Sequence, residues 1–248
     1  MPFGDLIKVA HRGASGCYPE NSRLAFEKAL EAGVDMIELD CQLSRDGHLV
    51  VFHDQRLERL AGVKGTVRGS TLAQLKRLDI GRKFKKSFRG QRIMTLEEAM
   101  SLLAGKVDLA VEIKTSRRAP LGIELKVLFV LSYYRYLARS VISSMDYRAL
   151  ERVRELAPQA RVGVIHHQGI RADPLEVAAR LSAESLHVEK SGATPELIGA
   201  ARARGLKIFV WTVNEVTEME KFFALGVDGI ISDYPERFWK IKLHRAHG

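Results

Sequence analysis

Short runs rich in β-branched residues alternate along the chain with amphipathic stretches, the pattern of a parallel sheet whose strands are joined by crossover helices. The candidate strands are LIKVAH (6–11), MIELDCQL (36–43), HLVVFH (48–53), LAVEIK (109–114), VISSMD (141–146), VGVIHH (162–167), SLHVEK (185–190), KIFVWTVN (207–214) and GIISDY (229–234). The last five start at 141, 162, 185, 207 and 229, a near-even step that fits a repeating strand–helix unit without a sequence repeat. Amphipathic segments such as NSRLAFEKALEAG, TLEEAMSLLAG, YRALERVRELA and TPELIGAARARG fill the intervals.

A closed parallel barrel needs about eight strands, so one of these runs must be something else. Only SRDG separates MIELDCQL from HLVVFH. So short a link cannot carry a parallel crossover, which needs about a dozen residues, whereas Asp-Gly favours a hairpin turn. HLVVFH is therefore expected as an antiparallel return arm. What remains is an α/β fold, a TIM-type (β/α)8 barrel in a single catalytic domain over 1–248, with helical connections between its strands. Residues 54–92 are expected as an insertion over the active face and not as an independent domain.

Composition narrows the picture. A chain of 248 residues, 46% of them hydrophobic, can bury a large core, and no low-complexity linker divides it. Apolar runs such as VLFVL (127–131) fall far short of the roughly 18 residues a membrane span requires. MPFGD lacks a charged leader region, so no secretory signal is expected. Cys17 and Cys41 are too few for a disulfide framework and wrongly spaced for zinc, and the chain reads as cytoplasmic.

Lys and Arg number 39 against 30 Asp and Glu, a net charge of +9 that favours an anionic ligand or surface. GRKFKKSFRGQR (81–92) gathers Arg82, Lys83, Lys85, Lys86, Arg89 and Arg92 around Phe84 and Phe88 without an acid. It reads as a solvated loop or as a peripheral contact with an anionic membrane edge. No nucleic-acid motif accompanies it, so no nucleic-acid partner is expected. LGIELKVLFVLSYYRYL (121–137) is more apolar than an outer helix needs, which fits a dimer surface or a thicker contact with its neighbours.

In such a barrel the C-terminal strand ends and following loops build the site. Strand one ends in His11-Arg12, the second carries Glu38 and Asp40, the third Glu112 and Lys114, and the seventh Trp211 and Asn214. A spacing of two puts each pair on one face of its strand. Three carboxylates in an interior would cost several kcal/mol each unless a cation sits among them. Glu38, Asp40 and Glu112 thus predict one divalent cation, and oxygen-only donors favour Mg²⁺ or Ca²⁺ over zinc. The structural alternative is a buried salt-bridge cluster with Arg12 and Lys114.

The hairpin then places a second histidine. A four-residue SRDG turn sets His53 opposite Glu38, and a two-residue Asp46-Gly47 turn sets it opposite Asp40, the metal face either way. Asp54 either orients the ring or starts the next turn. Two histidines beside a cation and an arginine suit proton transfer at a phosphate, one accepting and the other donating. Trp211 is a candidate wall for the rest of a substrate, or a core residue capping the barrel. His187 and Glu189 lie two apart at a strand end, so one face could point inward, and Glu189 joins the pocket candidates. His166 and His167 lead into a loop, and Cys17 is expected on the solvent side.

HRGASGCYPENSRLAFEKALEAGVDMIELDCQLSRDGHLVVFHD, followed by VEIK, WTVN and SDYP, resembles the glycerophosphodiester phosphodiesterase family, whose fold is a barrel of this kind. HRG, PEN, ExD, HD and ExK occur in family order over nearly the whole chain. The resemblance implies a metal-dependent phosphodiesterase that hydrolyses small-molecule glycerophosphodiesters to an alcohol and glycerol 3-phosphate. It implies His11 and His53 as the acid/base pair, Glu38, Asp40 and Glu112 as metal ligands, and Arg12 and Lys114 as the phosphate anchors. Glu20, from PEN, supports the site or reaches the metal.

Three positions depart from the family pattern. Ser22 stands where Thr is usual, and both cap helices. Met94 replaces a common proline, and Met145 an aromatic, which bears on alcohol preference. A lysophospholipase D or phospholipid-directed lyase would share barrel and site but needs an apolar ramp, for which only Phe84 and Phe88 offer themselves. A non-catalytic anion-binding barrel would be marked by loss of a histidine or metal carboxylate, and none is lost. Because the acid/base and metal residues lie outside the insertion, it is expected to govern substrate choice and not chemistry.

Overall fold

The computed structural model of the chain describes residues 6–115 and 122–242. β1 (Ile7–Ala10) leads through α1 (Arg23–Glu31) to β2 (Met36–Leu43), which turns back as β3 (Leu49–Val51). The next segment carries α2 (Glu58–Ala61) and α3 (Leu72–Lys76) and ends in β4 (Met94–Thr95). Then come α4 (Leu96–Leu103), β5 (Asp108–Ile113), α5 (Ile123–Tyr133), β6 (Ser140–Ser144), α6 (Tyr147–Leu156) and β7 (Arg161–His166). The chain closes with α7 (Pro174–Arg180), β8 (Ser185–Glu189), α8 (Pro195–Ala203), β9 (Lys207–Trp211), α9 (Val216–Ala224) and β10 (Gly229–Ser232).

β1 pairs in parallel with both β2 and β10, so the sheet closes in the order β1, β2, β5, β6, β7, β8, β9, β10. This is the eight-stranded parallel barrel, with helices between its strands. Local chemistry starts the helices where the sequence offers caps. Ser22 Oγ accepts from the Ala25 amide at 3.1 Å, doing the work of the usual Thr. Thr95 and Glu98 form a capping box ahead of α4, and Asp173-Pro174 and Thr194-Pro195 open α7 and α8.

The two faces of each strand meet different surroundings. Outward residues such as Ile37, Leu39, Val111 and Ile142 are buried against the helices, each contributing about 1.5–3 kcal/mol of apolar burial. Inward, Val9, Met36, Ala110, Val141, Phe209 and Ile231 close the barrel floor. Two residues further along the same strands come His11, Glu38, Glu112, Ser143, Trp211 and Asp233. With a rise of about 3.3 Å per residue, the period-two alternation lifts these groups roughly 7 Å above an apolar floor. On α5, Val127, Leu128, Val130 and Leu131 are buried, while Leu125, Phe129 and Tyr133 are 57%, 69% and 75% exposed.

The return arm differs in register from both expectations. Leu43 pairs with Leu49 and Cys41 with Val51, and the Ser44 amide donates to the His48 carbonyl. The turn is thus the three residues Arg45, Asp46 and Gly47, with Gly47 at φ +82 in the left-handed conformation such turns require. A three-residue turn shifts the register by one, so ladder pairing alone would carry His53 to the side away from Asp40. The ladder ends first, at Val51, and the Gln42 side-chain amide reaches the carbonyls of Phe52, His53 and Asp54 at 2.7, 3.0 and 2.9 Å. That anchorage redirects the chain.

β4 extends the arm into a third antiparallel strand, Val51 pairing with Met94. Two residues carry too little periodicity to be seen in the sequence. Around α2 and α3 a separate apolar cluster forms from Val50, Phe52, Leu57, Leu60, Val67, Leu75, Ile80 and Ile93. No helix among the described residues is long and apolar enough to cross a membrane.

Candidate active site

Strand ends and rim loops surround a cavity, open to solvent on one side, of about 430 Å³ including its mouth. His11, Arg12, Glu38, His53, Glu112 and Lys114 line one part of its wall, and Ser143, Met145, Ile165, His187, Trp211 and Ile231 the other. The first loop owes its shape to Arg12 and Gly13, both left-handed at φ +55 and +78. A Cβ on Gly13 would stand 2.7 Å from the Ala25 carbonyl, so only glycine lets the loop pack on α1. That packing turns the Arg12 amide onto Glu38 Oε2 at 2.9 Å.

β2 and β5 are neighbours with Asp40 level with Glu112, so Glu38, Asp40 and Glu112 each bring one oxygen within 4.8 Å of the others. Lys114 Nζ lies 2.6 Å from Glu112 Oε1 and 3.1 Å from Asp40 Oδ1. Arg12 Nε lies 3.2 Å from Asp40 Oδ2, and Asn21 Nδ2 donates to the same oxygen at 2.8 Å. Three carboxylates against Arg12 and Lys114 leave one negative charge in excess. Burial, reinforced by Asp40, pushes Glu38 well above the usual carboxylate range. Burial also lifts Glu112 to about 7 against the pull of Lys114. Asp40 goes the other way: burial opposes its charge, but Lys114 and Arg12 prevail.

These residues fit a hard divalent cation. Glu38 Oε1 is buried without a hydrogen-bond partner, and Asp40 Oδ1 has only the Lys114 ammonium beside it, so the cluster holds oxygen that ordinary structure would not leave unsatisfied. With all three ionised the cluster would carry one excess negative charge and repel a phosphodiester, and a cation of charge two both favours that ionisation and reverses the sign. All candidate donors are oxygens, which suits the ions of the magnesium and calcium class.

Both histidines are held in the same way. His11 Nδ1 meets Asp233 Oδ1 at 2.7 Å, and Asp233 in turn accepts from Ser15 Oγ at 2.9 Å and Asn214 Nδ2 at 2.8 Å. Burial works against the Asp233 charge, yet these bonds, His11 first, hold it at about 2. His53 Nδ1 meets Asp54 Oδ1 at 2.7 Å. A carboxylate on Nδ1 fixes the proton there and leaves Nε2 to serve a ligand. Burial lowers the His53 pKa despite the attraction of Asp40.

Glu20 accepts from Arg12 Nη1 at 3.0 Å and does not belong to the three-carboxylate cluster. Trp211 reaches the cavity, but Glu189 does not line it, and its carboxylate accepts from Ser191 Oγ at 3.1 Å. His187 is the member of that pair that lines the cavity. His166 lies 3.3 Å from the Tyr147 hydroxyl and His167 binds the Gly169 amide, both off the cavity wall. Cys17 is exposed, as expected. Phe88 rests 5.5 Å from the Tyr18 ring and Phe84 5.8 Å from Phe88, so the basic stretch sits on the first rim loop. Asp233, Asn21, Gln42 and Arg59 had no assigned part in the sequence reading, although SDYP and PEN marked two of them.

A family model described as the glycerophosphoryl diester phosphodiesterase family matches residues 11–237. The chain belongs to that family. A glycerophosphodiester phosphodiesterase of Caldanaerobacter subterraneus is 41% identical over 93% of this chain and 95% of its own length. Among solved structures, an Oleispira antarctica phosphodiesterase in complex with the product sn-glycerol-3-phosphate superposes with a TM-score of 0.87 at 29% identity. That match covers 95% of this chain and 96% of the other. A glycerophosphodiester phosphodiesterase of Agrobacterium tumefaciens gives 0.83 at 27% identity, over 95% of this chain and all of the other. His11 and Arg12 of HRG, Glu38 of ExD, His53 of HD and Glu112 and Lys114 of ExK line this cavity, and Glu20 of PEN holds Arg12.

Proposed function

We propose that the protein hydrolyses glycerophosphodiesters to an alcohol and glycerol 3-phosphate. The observation that carries the reading is the pairing of two histidines, each fixed by an aspartate on Nδ1, in one cavity with Arg12, Lys114 and three clustered carboxylates. Glu38, Asp40 and Glu112 would hold Mg²⁺ or Ca²⁺, which when bound withdraws charge from a phosphoryl oxygen. Arg12 and Lys114 anchor the phosphodiester's anionic oxygens, Arg12 through a guanidinium already fixed by Glu20. One imidazole takes at Nε2 a proton of the attacking water, whose oxygen bonds to phosphorus as the bond from phosphorus to the alcohol oxygen breaks, and the other gives a proton from its own Nε2 to the leaving alkoxide. Asp54 and Asp233 stabilise whichever ring carries charge.

Opposite the anion-binding wall, Ser143 Oγ and Trp211 Nε1 are buried without a protein partner. Hydroxyls of the glycerol moiety are the groups they suit, with Ile165 and Ile231 covering its carbon chain. Two free cysteines are in keeping with a reducing, cytoplasmic setting.

The test is release of glycerol 3-phosphate from a panel of glycerophosphodiesters by chelator-treated protein, before and after adding Mg²⁺ or Ca²⁺. Turnover that returns with either ion supports the reading. A folded protein that releases no glycerol 3-phosphate with either ion overturns it.

A further inference from the structure

Arg59 sits on α2, in the segment expected to leave the chemistry alone, and its guanidinium is engaged on two sides. Nε and Nη2 donate to Asp54 Oδ2 and Oδ1 at 2.5 and 3.0 Å. Nη1 and Nη2 donate to Glu20 Oε2 and Oε1 at 2.6 and 2.7 Å. Each carboxylate continues into the cavity. Glu20 Oε1 also accepts from Arg12 Nη1, and Asp54 Oδ1 meets His53 Nδ1. A single planar fork therefore ties the proposed phosphate anchor to one member of the proposed acid/base pair.

We propose that Arg59 is a positioning residue for the phosphodiesterase reaction, setting Arg12 and His53 at once through Glu20 and Asp54. The proposal rests on the function argued above. Its physical basis is the geometry of two bidentate pairs, which fix both distance and plane, where a lysine could supply only a point charge. Without the fork, Glu20 and Asp54 repel each other and each keeps a single cavity-side partner, free to swing with it. The base of the fork is itself fixed. Leu57 and Leu60 are 2% and 6% exposed in the second apolar cluster, and Gly62, left-handed at φ +71, ends the helix. Lys83 Nζ, from the basic stretch, donates to the Glu58 carbonyl at 2.6 Å. Burial of two leucines thus translates into the placement of a guanidinium, and the insertion acts on the chemistry as well as covering it.

The experiment compares wild type with Arg59→Ala and Arg59→Lys on glycerophosphocholine and on bis(4-nitrophenyl) phosphate, with thermal unfolding and calorimetric binding of Mg²⁺ or Ca²⁺ measured alongside. Both variants should lose on the order of 10²-fold in kcat/KM on both substrates, since displacing a reacting group by about an ångström costs that much. Cation binding should hold, because Arg59 touches none of the three clustered carboxylates. Guanidinium ion, added far below denaturing concentrations, should restore part of the turnover of Arg59→Ala and none of that of Arg59→Lys. Adding Asp54→Asn to Arg59→Ala should cost little more, as expected of groups acting in one unit.

Activity of a folded Arg59→Ala within threefold of wild type, or a loss that guanidinium leaves untouched, overturns the proposal. Should Arg59→Ala fail to fold, Arg59→Lys decides by the same threefold criterion. A wild type that cleaves only bis(4-nitrophenyl) phosphate sinks the substrate reading but leaves Arg59 supported by its loss on that ester. Inactivity of wild type on both substrates overturns both.

Discussion

His187 should make the protein lose stability on mild acidification by an amount the structure sets. Its ring is 3% exposed, lies tilted against the Phe209 ring with centroids 4.9 Å apart, and binds Ser185 Oγ through Nε2 at 3.0 Å. Burial lowers its pKa from 6.5 to about 4, with Glu184 opposing only weakly. The unfolded chain therefore takes up a proton below about 6.5 that the folded chain refuses until about 4. Stability contributed by the neutral ring is full above the unfolded pKa and falls with pH through that window. At about 1.4 kcal/mol per unit the whole loss is roughly 3 kcal/mol, and about 2 kcal/mol of it is gone by about pH 5.

Other groups titrate in the same range, so the comparison must be differential. Urea unfolding of wild type and His187→Gln near neutral pH and near pH 5 should show the wild type losing about 2 kcal/mol more than the variant. Proton resonances of the His187 ring supply the direct check. Equal pH sensitivity of the two proteins, or a ring that titrates near 6.5 in the native state, would refute the reasoning.

Glu112→Gln keeps the volume of the side chain but removes a charge from the carboxylate cluster, so calorimetry should show divalent-ion affinity falling at least ~10-fold while the fold persists. Gly13→Ala, with its Cβ driven against the Ala25 carbonyl, should cost ~1–3 kcal/mol in a chemical melt and displace Arg12 enough to lower kcat/KM. Ser143→Ala and Trp211→Phe should raise KM for glycerophosphodiesters by about tenfold, one lost hydrogen bond each, while leaving hydrolysis of bis(4-nitrophenyl) phosphate unchanged. Equal effects on both substrates would place these two groups at the phosphate and not at the glycerol.

Much of this was legible in the sequence because it is local. Period-two alternation gave the strands, and Asp-Gly removed one of them from the barrel count. The same alternation put Glu38 with Asp40 and Glu112 with Lys114 above the floor residues Met36 and Ala110. The hairpin shows where local reasoning stops. Neither turn length considered was the observed one, and His53 reached the cavity by leaving the ladder, under the hold of Gln42. The partners of the two imidazoles differ in the same sense. Asp54 is adjacent to His53 in sequence, but Asp233 is 222 residues from His11 and becomes its neighbour only when the first and last strands close the barrel. Arg59 is hidden for a further reason: an arginine on a short surface helix looks like any solvated cation until Glu20 and Asp54 are brought to it. Glu189 shares the face of His187, opposite Trp211, but stands at the end of β8 and does not line the cavity, because a shared face fixes direction and not depth.

The central claim is that His11 and His53 act as one acid/base couple, and it is tested most directly by glycerol 3-phosphate release from the single and double alanine variants, each folded and loaded with divalent ion. Each single replacement should lower kcat on the order of 10²-fold or more, and the double variant should be little worse than the poorer single. Near wild-type rates in both His11→Ala and His53→Ala would contradict the account and leave the histidines a structural role.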